Sequence, residues 1–229
     1  MVAQVYELAD SYNGLSFSPY VILAQLFLLH KGIKFEGIPL TFSQVGPTIN
    51  RLLPTVKFDN GDIIYDSLEI AKYLDSKYEQ NPILSSTDPK VTQLVNEYLS
   101  INNLNHFKLI ILEINANYDE INQKRWREVR EKILGQKMEE FAGNQELAVK
   151  EYIQNIGDLA KVLETRDFLD GEKPAINDYT IISNVQNLKT IAPEVYKKVI
   201  ENHPNPALLK WVNRVSDLFD GYLKNRKTL

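Results

Sequence analysis

The chain has 229 residues, 44% of them apolar, and a formal net charge of −4. That length fits one large domain or two modest ones, and an acidic balance leaves no electrostatic footprint for nucleic acid. There is no cysteine, which removes protein disulfides, thiolate catalysis and cysteine-bound metals together.

Residues 1–10 lack the basic start and apolar block of a secretory leader. The longest apolar stretch, 20–29, is too short to cross a bilayer and contains Gln25. The expectation is a soluble, cytoplasmic protein with no membrane partner. Residues 2–8 alternate and are rich in β-formers, which predicts a strand. Residues 9–17 are polar, with Gly14 and two serines, and read as a loop. Ser18-Pro19 then opens a helix, serine as N-cap and proline at the first helical position. The helix carries Val21, Leu23, Ala24, Phe27 and Leu28 and stops at Lys31-Gly32. A second strand over 34–40 implies a parallel crossover. Residues 41–53 read as a looser connector.

After Pro54 comes a short strand with Thr55 and Val56. Asn60-Gly61 has the composition of a two-residue hairpin turn with positive φ at both positions, and Ile63-Ile64-Tyr65 returns. Asp66 caps the next helix, with Glu69 completing a capping box and Leu68, Ile70, Ala71 and Leu74 forming a buried face. Residues 1–80 are therefore β-α-β, connector, β-β-α, a thioredoxin-type α/β domain. A linker over 81–90 contains prolines and serines. From 91 to 229 helical periods run over 91–117, 123–141, 144–164, 178–189, 192–202 and 206–226, so the second domain is all-α. Its histidines, with His30, are scattered without metal-ligand spacing, and no metal is expected.

This plan resembles the cytosolic glutathione transferases. The residues that carry the likeness are Ser18-Pro19-Tyr20-Val21, Leu53-Pro54, Asp66-Ser67, Phe168-Leu169-Asp170-Gly171 and Pro174-Ala175-Ile176-Asn177-Asp178. The phrases SPYV…HKGIKFE and RWREVREKILGQKMEEF are similar to fungal transferases related to the bacterial β-etherases. Two departures stand out. Ile22-Leu23 occupies the place of a Trp-Arg pair, and Ala175 that of a capping Ser or Thr, a loss of about 1 kcal/mol unless Asp178 compensates.

The resemblance implies glutathione as co-substrate, a homodimer, a detoxifying role and an apolar electrophile as second substrate. Ser18 would stabilise the glutathione thiolate, with Ser16 as substitute and Tyr12 and Tyr20 as weaker candidates; spacing alone allows a plain N-cap. Asp66 would pair with a ligand ammonium and Ser67 with a carboxylate at the helix N-terminus. Leu53 would offer its backbone in strand fashion if Leu53–Pro54 is cis, an isomer the sequence leaves open. Tyr20, Tyr98, His106 and Trp126 are expected to line the second-substrate pocket, although core packing accounts equally for Trp126. The alternative is a non-catalytic protein of the same fold that binds ligands or a partner.

Overall fold

The computed structural model describes residues 2–49, 52–85 and 88–228. The chain divides into two compact units, Met1–Leu84 with Asn115–Val129, and Ser85–Ile114 with Arg130–Leu229.

The first unit is built from β1 (Val2–Leu8), α1 (Pro19–His30), β2 (Lys34–Leu40), α2 (Phe42–Ile49), β3 (Thr55–Lys57), β4 (Ile63–Tyr65) and α3 (Ser67–Lys77). The sheet order is β2-β1-β3-β4. β1 lies parallel to β2 and antiparallel to β3, so Val5 pairs with Gly37 on one side and Val56 on the other. α1 is buried along Val21–Leu28, which is why it lacks a clear polar face. It packs against α3, whose Ile70, Ala71 and Leu74 are buried. Leu68, expected on that face, is exposed. Glu69 pairs with Lys72 (2.6 Å).

The hairpin turn differs from expectation. Positive φ falls on Gly61 (+91°) and not on Asn60. Gly61 N–H donates to Phe58 O (3.0 Å) and Phe58 N–H to Asp62 O (2.9 Å). The loop is thus longer than two residues, and one left-handed glycine is enough. The connector is also corrected: residues 42–49 form a helix despite Gly46 and Pro47. Its neighbours Asn50 and Arg51 lie outside the described residues.

The start of the linker is tied down. The Lys31 ammonium, its side chain 1% exposed, lies 2.9 Å from Asp75 Oδ1. It donates to the carbonyls of Tyr78 (2.6 Å), Gln80 (2.9 Å) and Asn81 (2.8 Å). Asp75 accepts from the N–H groups of Ile83 (2.9 Å) and Leu84 (3.0 Å). A buried charge persists only when so fully partnered. Ser86 and Thr87, also in the expected linker, lie outside the described residues.

Helices continue as α4 (Pro89–Ala116), α5 (Glu120–Leu134), α6 (Met138–Ala142), α7 (Gln145–Val162), α8 (Ile176–Ile191), α9 (Pro193–Tyr196) and α10 (Pro206–Ser216). The helix expected over 123–141 is broken at Gly135, whose φ is +68°. The one expected over 192–202 passes into a π turn at Lys197–Glu201. The last ends at Ser216, and Phe219 and Asp220 beyond it have positive φ.

In the second unit Asp170 Oδ2 takes over the cap that Ala175 lacks, accepting from Asn177 N–H (2.9 Å). Asp178, expected to compensate, instead binds the segment ahead of the helix. Its Oδ1 accepts from Leu169 N–H (2.8 Å) and Trp211 Nε1–H (2.8 Å). Its Oδ2 accepts from the N–H groups of Asp170 (3.1 Å) and Ala175 (3.4 Å). Burial raises the Asp178 carboxyl from its ordinary 3.8 to about 6, against the opposing pull of the Trp211 and backbone donors.

Two outcomes follow. An acid raised by folding binds more protons when folded, so its stabilising contribution is full below pH ~4 and is lost as pH rises through ~6. In urea melts the stability advantage of the native chain over Asp178→Asn shrinks across that window. Asp178→Ala orphans buried N–H donors and costs about 3 kcal/mol. In the first unit buried Glu7 accepts from Gln25 Nε2 (2.5 Å). A Cβ on Gly37 would overlap Glu7 Oε1 and lie 2.9 Å from its Cδ. Gly37→Ala therefore lowers the melting temperature by several degrees, about 1–2 kcal/mol, and Glu7→Ala in the same chain suppresses that penalty.

Candidate functional site

Ser18 stands at the N-cap of α1 with φ −59° and ψ 126°, and its side chain makes no capping hydrogen bond. It is 8% exposed. Pro19 has no N–H to satisfy, and Ser18 O takes Ile22 N–H (3.0 Å). The loop ahead of it is shaped by buried Asp10, whose Oδ1 accepts from Asn13 N–H (3.1 Å) and Leu15 N–H (2.7 Å). Ser16 is buried and bridges to Ala9. Tyr12 is exposed, and its hydroxyl donates to Tyr118 O (3.3 Å).

Leu53–Pro54 is cis. Pro54 O accepts from Asp66 N–H (3.1 Å), and Thr55 Oγ1 donates to Leu52 O (3.0 Å). These bonds set Leu53-Pro54 beside Asp66-Ser67, which the sequence separates by a dozen residues. Asp66 caps α3: Oδ1 accepts from Leu68 N–H (2.8 Å) and Glu69 N–H (3.4 Å). Oδ2 takes no protein hydrogen bond among the described residues. Asp66 is exposed, Ser67 buried. The backbone at Asp66 has φ 69° and ψ 136°, a region costly for a residue with a Cβ. Strain of that sort is held only where the surroundings over-determine it.

The four residues expected at the second-substrate pocket are divided. Tyr20 lies on the first turn of α1, 58% exposed. Trp126, 2% exposed, belongs to an aromatic cluster with Phe42 (5.1 Å) and Tyr118 (5.7 Å). Tyr98 and His106 are in the second unit, both buried. Asn102 Nδ2 donates to Tyr98 Oη (2.8 Å), and His106 Nε2 is 2.6 Å from Asn187 Oδ1. Burial pushes the Tyr98 phenol up to about 12 and lowers His106. Tyr98 also floors a groove of about 330 Å³ with Leu94, Ile101, Asn155 and Leu159. Among the described residues no three His, Asp or Glu side chains converge as metal ligands, and no helix is long and apolar enough to cross a membrane.

Sequence reasoning missed Asn122. Its Oδ1 accepts from Ser43 N–H in α2 (2.7 Å). A local signal existed: Asp119 accepts from Asn122 N–H (2.9 Å) as the cap of α5, three residues earlier than the expected start.

The pattern of the N-terminal domain of glutathione S-transferases matches residues 14–82, and that of the C-terminal domain matches 93–217. The chain belongs to the glutathione S-transferase family. Three fungal transferases share its fold. One from Phanerochaete chrysosporium is 17% identical, covers 97% of each chain and superposes with a TM-score of 0.78. One from Ceriporiopsis subvermispora, solved with glutathione, is 20% identical, covers 97% of this chain and 98% of its own, and scores 0.73. A second from that fungus, also with glutathione, is 20% identical, covers 99% and 96%, and scores 0.69. The transferase fold, a thioredoxin-like domain followed by a helical one, thus spans nearly the whole chain.

The strained cap gives a clean test. Asp66→Asn keeps the acceptor and bears the same backbone strain as the native aspartate, so its melt stays within about 0.5 kcal/mol of the native chain. Asp66→Ala loses the cap and keeps the strain, costing about 1–3 kcal/mol in urea unfolding.

Proposed function

We propose that this transferase-family chain conjugates glutathione to an apolar electrophile. The observation that carries the reading is the pairing of Leu53-Pro54 with Asp66-Ser67 through the Asp66 N–H bond to Pro54 O. A γ-glutamyl head carries an ammonium and a carboxylate. Asp66 Oδ2 takes the ammonium, while the hydroxyl and N–H of Ser67, at the front of α3, take the carboxylate. The Leu53 backbone pairs with the peptide in strand fashion. The sulfur then lies at the front of α1. There the positive end of the helix and a hydroxyl donated by Ser18 lower the thiol pKa. Among the described residues no acceptor takes the Ser18 O–H, which leaves it for that purpose. The thiolate attacks an electrophilic carbon, displacing a leaving group or adding to a double bond; the displaced group or the new carbanion takes the proton.

In this reading residues 1–80 form the glutathione domain and 91–229 the domain lining the second pocket. The protein works as a cytoplasmic homodimer in detoxification. Glutathione in two of the fungal neighbours supports the co-substrate. The rival reading is a non-catalytic binder. Its support is Ile22 and Leu23, which are buried and bring no cation to the front of α1. Aryl-ether cleavage, by analogy with β-etherases, is the narrower variant, read by phenol release from a model ether.

Calorimetry with glutathione and a chlorodinitrobenzene assay decide among these. Losing a hydrogen bond to an anionic sulfur is worth about 2 kcal/mol, so Ser18→Ala lowers kcat/KM about 30-fold. It also raises the pH at which the rate reaches half-maximum. Asp66→Asn weakens glutathione about tenfold. Binding without turnover supports the binder. Unchanged turnover in Ser18→Ala removes Ser18 from its role and moves the test to Ser16→Ala.

A further inference from the structure

α2 has little reason of its own to be a helix. It has eight residues, includes Gly46 and Pro47, and none of its residues is fully buried. Short helices are marginal in water, and glycine and proline both weaken them. Yet α2 ends at Ile49, four residues ahead of Leu53 in the sequence, and Leu53 is one wall of the proposed glutathione groove.

What holds it comes from residues 115–129, the corner between α4 and α5. Buried Asn122 accepts Ser43 N–H, an N-cap supplied from outside the helix. The amide is held in register because its Nδ2 donates to Asp119 Oδ2 (2.9 Å) while the Asn122 N–H donates to Asp119 Oδ1 (2.9 Å). Those bonds hold the Asp119 carboxyl below its ordinary range. Phe42, the first residue of α2, meets the Trp126 ring edge-on at 5.1 Å and Tyr118 at 6.4 Å. The same corner takes Ser11 N–H on Asn117 O (3.3 Å) and the Tyr12 hydroxyl on Tyr118 O (3.3 Å). Phe17, next to Ser18, stacks edge-on against Tyr118 at 6.2 Å. One segment therefore grips both the loop that delivers Ser18 and the helix that leads to Leu53.

We infer that Asn122 is a positioning residue for glutathione: through Ser43 it keeps α2 folded and the Leu53 wall in place, without touching the ligand. The inference rests on the glutathione reading. The α4–α5 corner thereby acts as the brace of the groove rather than only as a wall for the second substrate.

The test separates the brace from the ligand. In Asn122→Ala, amide exchange over 42–49 without glutathione speeds up about tenfold or more, because the helix has lost its cap. Glutathione binds about five- to tenfold more weakly by calorimetry, and kcat at saturating glutathione stays within about twofold, a KM effect. Phe42→Leu, at a half-buried position, repeats both changes by removing the ring contact. Ile156→Val, a core change in the second unit, leaves both at native values. Native exchange over 42–49 in both Asn122→Ala and Phe42→Leu overturns the inference. So does faster exchange with unaltered glutathione affinity. If the native protein gives no heat with glutathione, the glutathione reading falls, and exchange alone still decides whether Asn122 holds α2.

Discussion

The candidate site hangs on one hydrogen bond, from Asp66 N–H to Pro54 O. It forces two opposed demands to meet in one residue. The chain must leave β4 and enter α3 within a single step, and it does so at φ 69°. The strain is offset locally, because the Asp66 carboxylate bonds the N–H groups of Leu68 and Glu69. The same carboxylate caps α3 with Oδ1 and keeps Oδ2 outward. Strain, cap and charge are three aspects of one placement. Moving Asp66 would displace the helix N-terminus and the Pro54 edge together.

Away from the site, buried ionic groups organise stretches that have no regular structure. Lys31 and Asp75 collect main-chain groups between Tyr78 and Leu84. Asp178 collects those of Leu169, Asp170 and Ala175, and adds the Trp211 indole. Irregular backbone cannot satisfy itself as a helix does, so each buried N–H or C=O needs an outside partner. A fully partnered charge offers several at once. Burial is the largest single influence on both carboxyls: it leaves Asp178 raised, whereas at Asp75 the donors from Lys31, Ile83 and Leu84 together outweigh it and lower the carboxyl.

The α4–α5 corner belongs to the same compact unit as the sheet. A division of function by chain order alone, with residues 91–229 serving only the second substrate, overlooks this. Aromatic rings at Phe17, Phe42, Tyr118 and Trp126 fill the space between the loop ahead of α1, α2 and the corner. Such clusters bury much area and fix orientation through edge contacts. Trp126, expected to line a pocket, is spent on this packing.

By itself the sequence determined the features whose causes lie within a few residues. Ser18-Pro19 starts α1, Asp66 caps α3, Gly61 turns the hairpin, and the switch from strands to helical periods near residue 80 separates two kinds of architecture. It pointed to Asp178 as a group that could make up for the missing cap at Ala175, whereas the folded chain gives that bond to Asp170. Only the tertiary structure decided the cis bond at Leu53–Pro54, the meeting of Pro54 with Asp66, and the helix over 42–49. Gly46 and Pro47 argue locally against that helix. Its cap comes from Asn122, 79 residues along the chain from Ser43. Gly135 was a local signal of the break after α5 that the surrounding helical period concealed. Periodicity reports only which side chains share a face. A bond between distant residues leaves no mark on either neighbourhood until the chain has folded.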